Sequence, residues 1–214
     1  MPVAMALIGV AVLLAAAPLA VALQALRGAS HVIYATCFMA CAVLLGIACS
    51  ALLAAADPAR TLVLPIGLPW IGAHFRIDAL SAFFLLVTNL GGAGASLFAM
   101  GYGRHETAPG RVLPFYPAFL ASMNLVVLAD DAFSFLIAWE FMSLSSWALV
   151  MSHHKDAENR RAGYIYIIMA SFGTLTLLLA FGLLAGSGGG YAFRDIRSVA
   201  AVLPGLTLTL VLIG

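Results

Sequence analysis

The residue whose type and setting most demand a chemical explanation is Glu140. It lies nine residues into an apolar run from about Asp131 to Ser152, roughly 14 Å along a helix that rises 1.5 Å per residue. That depth is near the middle of a ~30 Å hydrocarbon core. A carboxylate there costs at least about 2.5–3.5 kcal/mol, so it must pair with a cation, lie in a water-filled cavity or carry a proton. Desolvation favours the neutral form of a carboxyl, and an acid held in that balance can load and release a proton. Ser143, one turn on, and Trp147, two turns on, share its face. The plainer alternative is a protonated glutamate that hydrogen-bonds a neighbouring helix and moves nothing.

Other polar side chains recur at similar depths. Ser171 and Thr174 stand at i, i+3 in a later apolar run, with Tyr164 and Tyr166 towards one end. Ser122 and Asn124, and Thr88 and Asn89, sit in two earlier runs. Such groups either hold a chain of waters that relays protons or make hydrogen bonds between helices. His153 and His154, followed by Lys155, close the run that holds Glu140. A histidine pair can titrate near physiological pH and collect protons; an interfacial polar cluster is the other reading. Asp78, two residues from Arg76, suits a local ion pair or a helix N-cap. Cys37, Cys41 and Cys49 share one apolar run without CxxC spacing, which favours buried thiols over a disulfide or metal site. No phosphate-binding loop and no nucleophile-base set is found, so no cofactor and no metal is expected.

The elements that must position these groups follow from composition. Of 214 residues, 64% are hydrophobic and 9% charged, with a mean hydropathy of +1.08. A soluble domain carries about 25% charged residues. This is the composition of an integral membrane protein. Six full spans are expected, all helical: Val3 to Leu26, His31 to Ala56, Ile77 to Tyr102, Val112 to Ala129, Asp131 to Ser152 and Ala162 to Ala185. A positively charged region before the first run is missing, which argues against a signal peptide. An apolar run from Val199 to Gly214 reads as the start of a seventh span that stops in mid-pattern.

The connections are informative too. Residues 57–76 hold Asp57-Pro58, Pro65, Gly67, Pro69, Trp70 and Gly72, which reads as an extended or hairpin connection at the membrane surface. Trp70 suits the interfacial aromatic belt. Gly91, Gly92, Gly94 and Ala95 would let a neighbouring helix approach the third span closely. Asp130-Asp131 makes a tight turn, and Gly186 to Gly190 a linker into a short interfacial helix from Tyr191 to Ser198. The chain thus divides into residues 1–56, holding two spans, the 57–76 connection outside the cytoplasm, and residues 77–214, holding the rest. With the N-terminus outside, inner loops carry six Lys and Arg and outer loops four, which sets the expected orientation.

The segment from Phe115 to Trp147, above all Trp139-Glu140-Phe-Met-Ser-Leu-Ser-Ser146, resembles the antiporter-like membrane subunits of respiratory complex I, multisubunit Na+/H+ antiporters and energy-converting hydrogenases. Arg76-Ile-Asp78-Ala-Leu-Ser81 and Ala157-Glu-Asn-Arg-Arg-Ala162 are similar as well. The loop Gly101-Tyr-Gly-Arg-His105 looks most like the large hydrogenase-4 and formate hydrogenlyase membrane subunit. The resemblance implies a bundle of inverted repeats, of which this chain is the N-terminal part. It also implies that Glu140 matches a glutamate paired with a lysine in the seventh span. The only lysine here is Lys155, in a loop, so that partner is expected beyond Gly214.

The expected function is that of a membrane subunit coupling electron transfer to proton translocation, not catalytic alone. Glu140 would carry the proton, with Ser143, Ser171, Thr174, His153 and His154 as transfer candidates. Expected partners are other membrane subunits and a peripheral redox arm, in a bacterial inner membrane, with no role for nucleic acid. The alternatives are a scaffold that anchors a peripheral hydrogenase or dehydrogenase without moving ions, and a Na+/H+ antiporter subunit.

Overall fold

The computed structural model describes residues 2–24, 26, 28–54, 60–67, 72–103, 109–186, 190–198 and 204–214. Trp70, Asp57, Pro58, Pro69, Arg27, Arg104, His105 and residues 187–189 of the Gly-rich linker lie outside the described residues. Hydrocarbon offers no hydrogen-bond partner to the backbone, so spanning segments of a chain this apolar form helices. Six are long and apolar enough to cross a membrane. Among the described residues they are built on α1 (Pro2–Leu23), α2 (Ala29–Leu53), α3 (Ala79–Tyr102), α4 (Phe115–Leu128), α5 (Ala132–Val150) and α6 (Ala157–Ala185), the fourth span reaching back to Pro109 and the fifth on to His153 through short 3-10 turns. Two shorter helices follow, α7 (Phe193–Ser198) and α8 (Pro204–Ile213). The fold is an all-α transmembrane bundle.

α4 starts at Phe115 rather than near Val112. Pro114 occupies its N-cap position, and a separate 3-10 turn, Pro109–Arg111, precedes it. α6 is the longest at 29 residues, about 43 Å at 1.5 Å per residue. That exceeds a ~30 Å core, and its first turns carry Glu158, Asn159, Arg160 and Arg161. These polar turns therefore stand clear of the hydrocarbon.

Helices α1 to α4 form the tightly packed part of the bundle. Its core joins Val10 and Leu13 of α1, Cys37, Cys41 and Leu44 of α2, Leu85 of α3 and Leu120 and Leu128 of α4. Van der Waals fit drives such packing in lipid, so close backbone approach matters. Only one of the glycines in the Gly91–Gly94 stretch serves it. A Cβ on Gly92 would meet Cys41 Sγ at 2.9 Å and Leu120 Cδ2 at 3.1 Å, whereas Gly91 and Gly94 face open space. Two amides bridge α3 and α4 at the same level. Asn89 Nδ2 donates to Asn124 Oδ1 at 2.7 Å, and each amide also donates to its own i−4 carbonyl. Both side chains are fully buried.

α5, α6 and α7 are joined by aromatic rings. Phe135 stacks on Trp139 and meets Phe181 of α6 and Phe193 of α7 edge-on.

At one end of the bundle the connection between α2 and α3 folds into an antiparallel hairpin, β1 (Arg60–Leu64) with β2 (Ala73–Ile77). Thr61 pairs with Arg76, and Val63 with His74. A carboxylate cluster ties β2 to the start of α5. Asp131 caps α5 by accepting the Ser134 N–H at 2.7 Å, and its other oxygen accepts the His74 N–H at 2.8 Å. The His74 ring stands beside it, with Nδ1 3.7 Å from the same oxygen. Arg76 reaches Asp78 at 3.2 Å and Asp130 at 3.0 Å. Asp78 and Ser81 cap α3 reciprocally through a capping box. Burial works to raise the Asp78 carboxyl, but the Ser81 N–H and Arg76 outweigh it and hold it below the usual range. Burial prevails at Asp130 and lifts its carboxyl above that range, against the pull of Arg76. The backbone joins in: Asp130 N–H donates to His74, and Phe193 N–H to Asp130.

Two substitutions test this packing in detergent-solubilised full-length protein. Gly92→Ala should cost about 1–3 kcal/mol of stability through overpacking, whereas Gly94→Ala, whose Cβ meets no neighbour, should be neutral or gain up to about 1 kcal/mol of helix propensity. Equal melting temperatures for the two would contradict the close approach assigned to Gly92. Asp131→Asn turns an amide N–H towards one of two backbone donors and leaves that donor unsatisfied. The expected loss is about 1–3 kcal/mol, read as a lower unfolding midpoint; an unchanged midpoint would show that the clamp is dispensable.

Candidate functional site: a lone carboxylate in the α5 span

Capping by Asp131 sets the depth of everything on α5. Glu140 is the ninth of its 19 residues, about 12 Å from the capped end and close to mid-membrane. No other Asp, Glu, Lys or Arg among the described residues lies in the interior of a span; the rest stand at helix ends or in connections. The side chain is partly buried, and no hydrogen bond or ion pair joins it to another described residue.

Helical spacing puts Glu140 on a seam. Leu136 and Ser143, at i−4 and i+3, are buried at 8% and 4% exposure, whereas Ile137 and Leu144, at i−3 and i+4, are 54% and 49% exposed. The carboxylate therefore stands where the packed side of α5 meets its open side. A group placed there can be reached both from the bundle interior and by a further element laid against α5.

The other candidates divide. Ser143 is buried one turn from Glu140. Thr174 spends its hydroxyl on its own helix, donating to the Ala170 carbonyl at 3.2 Å, and Ser171 is exposed. Neither bonds to α5 among the described residues. The polar contact between α5 and α6 is instead Tyr166 Oη donating to Ser146 Oγ at 3.1 Å. Small-residue spacing could have drawn attention to this end, because Gly163 of α6 lies against Met151 and Trp147 of α5. His153 and His154 close the far end of the α5 segment. Ser152 Oγ lies 3.1 Å from His153 Nδ1, and the His154 ring contacts the Arg111 guanidinium.

Further polar pairs within the spans are the Asn89–Asn124 bridge and Ser96 with Tyr116, 2.8 Å apart between hydroxyl oxygens. The Thr207 hydroxyl on α8 is buried without a partner among the described residues. Among the described residues, no group of three or more His, Cys, Asp or Glu could hold a metal ion.

Comparison with known proteins bears on the fold and the family. Residues 129–214, which contain Glu140, match the family model described as NADH:quinone oxidoreductase/Mrp antiporter, TM. The chain is 34% identical over 148 residues to an uncharacterized protein of Mycobacterium tuberculosis, covering 69% of this chain and 23% of that protein. It is 34% identical over 141 residues to hydrogenase-4 component B of Escherichia coli, covering 65% of this chain and 21% of that one. The chain thus spans about a quarter of the length of the curated relatives it matches. In fold it is similar to a chain of the Mrp complex from Dietzia sp. DQ12-45-1b, with a TM-score of 0.78 at 22% identity, over 99% of this chain and 40% of the other. Residues 129–214 thus belong to the NADH:quinone oxidoreductase/Mrp antiporter family, and the chain is a stretch of an antiporter-like, multi-span membrane subunit.

Proposed function

We propose that the full protein is a proton-translocating membrane subunit of a respiratory or energy-converting redox complex, with Glu140 as its mid-membrane proton carrier. The observation that carries this reading is the isolation of Glu140: an ionisable group in the interior of a span, on the seam between packed and open faces of α5. An intramembrane carboxylate is costly enough to mark an ion pathway. By family resemblance its cationic partner is a lysine of the seventh span. Pairing with that lysine favours the carboxylate, and loosening the pair favours the protonated acid. A change of pairing driven by the redox arm would then load and unload the proton.

Ser143, buried on the same side of α5, is the nearest candidate to hold a water against the carboxylate. Ser171 and Thr174 enter as contacts further along a water chain, and His153 and His154 as proton-collecting groups at the opposite end of α5 from the hairpin. Other membrane subunits and a peripheral redox arm are the proposed partners, and a bacterial inner membrane with the N-terminus outside is the proposed setting. Similarity to an Mrp complex keeps Na+/H+ exchange as a second reading, since the same carboxylate would serve it.

Glu140→Gln in the full-length complex keeps the shape and removes the titrating group. Proton uptake into vesicles, driven by the redox reaction, should fall at least tenfold while assembly is retained. Wild-type uptake by this variant would reject the assignment to Glu140, and no redox-driven uptake in the wild type would leave the non-pumping scaffold. Sodium-dependent proton movement in the wild type would move the reading to the antiporter branch.

A further inference from the structure

At the end of the bundle opposite the hairpin, three spans converge on a polar basin. Arg111 reaches it from the turn before α4, Ser152, His153 and His154 from the end of α5, and Asp156 and Asn159 from the start of α6, with Lys155 on the rim. The cavity is about 560 Å³. Several of its acceptors are engaged. Arg160 donates to the His154 and Lys155 carbonyls, each at 3.1 Å. Asp156 Oδ1 accepts the Glu158 N–H at 3.0 Å. Guanidinium groups only donate, so the Arg111 contact with the His154 ring leaves its charge uncompensated. Among the described residues neither Arg111 nor Lys155 has a carboxylate partner.

Two cations face one carboxylate, Asp156, which is engaged in capping α6, so the basin keeps an excess of positive charge that favours an anion. The surroundings say which kind. Arg160, Tyr164 and Ile168 follow one another at i, i+4 and i+8 down α6, and the last two are 68% and 48% exposed. An apolar stripe therefore runs from the basin rim into the membrane. Basic pockets between spans at this level suit acidic head groups.

We propose that this basin binds the phosphate group of an anionic phospholipid, with Arg111 and Lys155 supplying the charge and the Tyr164–Ile168 stripe carrying an acyl chain. The site is independent of Glu140. Its test uses the full-length complex in phosphatidylcholine nanodiscs doped with phosphatidylglycerol, with retained lipid counted by native mass spectrometry. Wild type should enrich phosphatidylglycerol, and inorganic phosphate should not displace it. Apparent affinity should fall about fivefold for each cation removed, from roughly 1 kcal/mol per charge. Arg111→Gln with Lys155→Gln should thus bind about 25-fold more weakly. If that variant fails to assemble, Lys155→Gln alone supplies the fivefold arm. Enrichment unchanged in Lys155→Gln or the double variant overturns the proposal. Displacement by inorganic phosphate overturns the lipid assignment in favour of a soluble phosphate site.

Discussion

The interior of a bilayer offers polar groups no solvent, and that single constraint organises this molecule. Four buried hydroxyls in the spans turn back on their own helix: Ser96 to Gly92, Ser122 to Phe119, Ser145 to Phe141 and Thr176 to Phe172. The amides of Asn89 and Asn124 satisfy each other across α3 and α4. Charged groups have been moved to the ends, where they cap helices or pair. Against this background a carboxylate in the middle of α5 with no partner among the described residues is an exception with a cost, and the proposed function rests on it.

The proposed role of the carboxylate depends on its depth, and the hairpin end sets that depth. Asp131 ties the first turn of α5 to β2, Arg76 ties β2 to Asp78 and Asp130, and Phe193 ties α7 to the same turn. Three separate stretches of chain thus meet at one cluster of charges, so α5 cannot slide along its axis without breaking capped and paired groups. The aromatic rings of Phe135, Trp139, Phe181 and Phe193 fill the space just inside that cluster. Rigid below and seamed in the middle, α5 holds Glu140 at a fixed level beside a face left open. The opposite end carries Arg111 and Lys155, which have no carboxylate partner among the described residues, so the two ends of the helix present different electrostatics.

Much of this was legible in the sequence because the bilayer writes strong signals. Runs of 20 apolar residues, the isolation of Glu140 and the capping potential of Asp78 depend on local pattern alone. Other features depend on which residues meet across helices, which local pattern does not encode. Asn89 and Asn124 are each visible as polar residues in a span, but their mutual hydrogen bond follows only from the α3–α4 register. The reach of Arg76 to Asp130 crosses 54 positions, and the burial of Asp131 against His74 crosses 57. Among the small residues of the third span, composition cannot separate Gly92, which meets Cys41, from Gly91 and Gly94, which do not. The same limit applies to Ser171 and Thr174, whose spacing suggested a shared polar face; one is exposed and the other is bonded to its own backbone.

The central claim is that Glu140 changes its protonation state within the working cycle of the full protein. Difference infrared spectroscopy on the membrane-reconstituted complex, with and without turnover, reads this directly. The account predicts a carboxylic-acid carbonyl band that is exchanged for a carboxylate band on turnover and is absent in Glu140→Gln. A carbonyl band that persists unchanged under all conditions, or a band exchange that survives in Glu140→Gln, would contradict it.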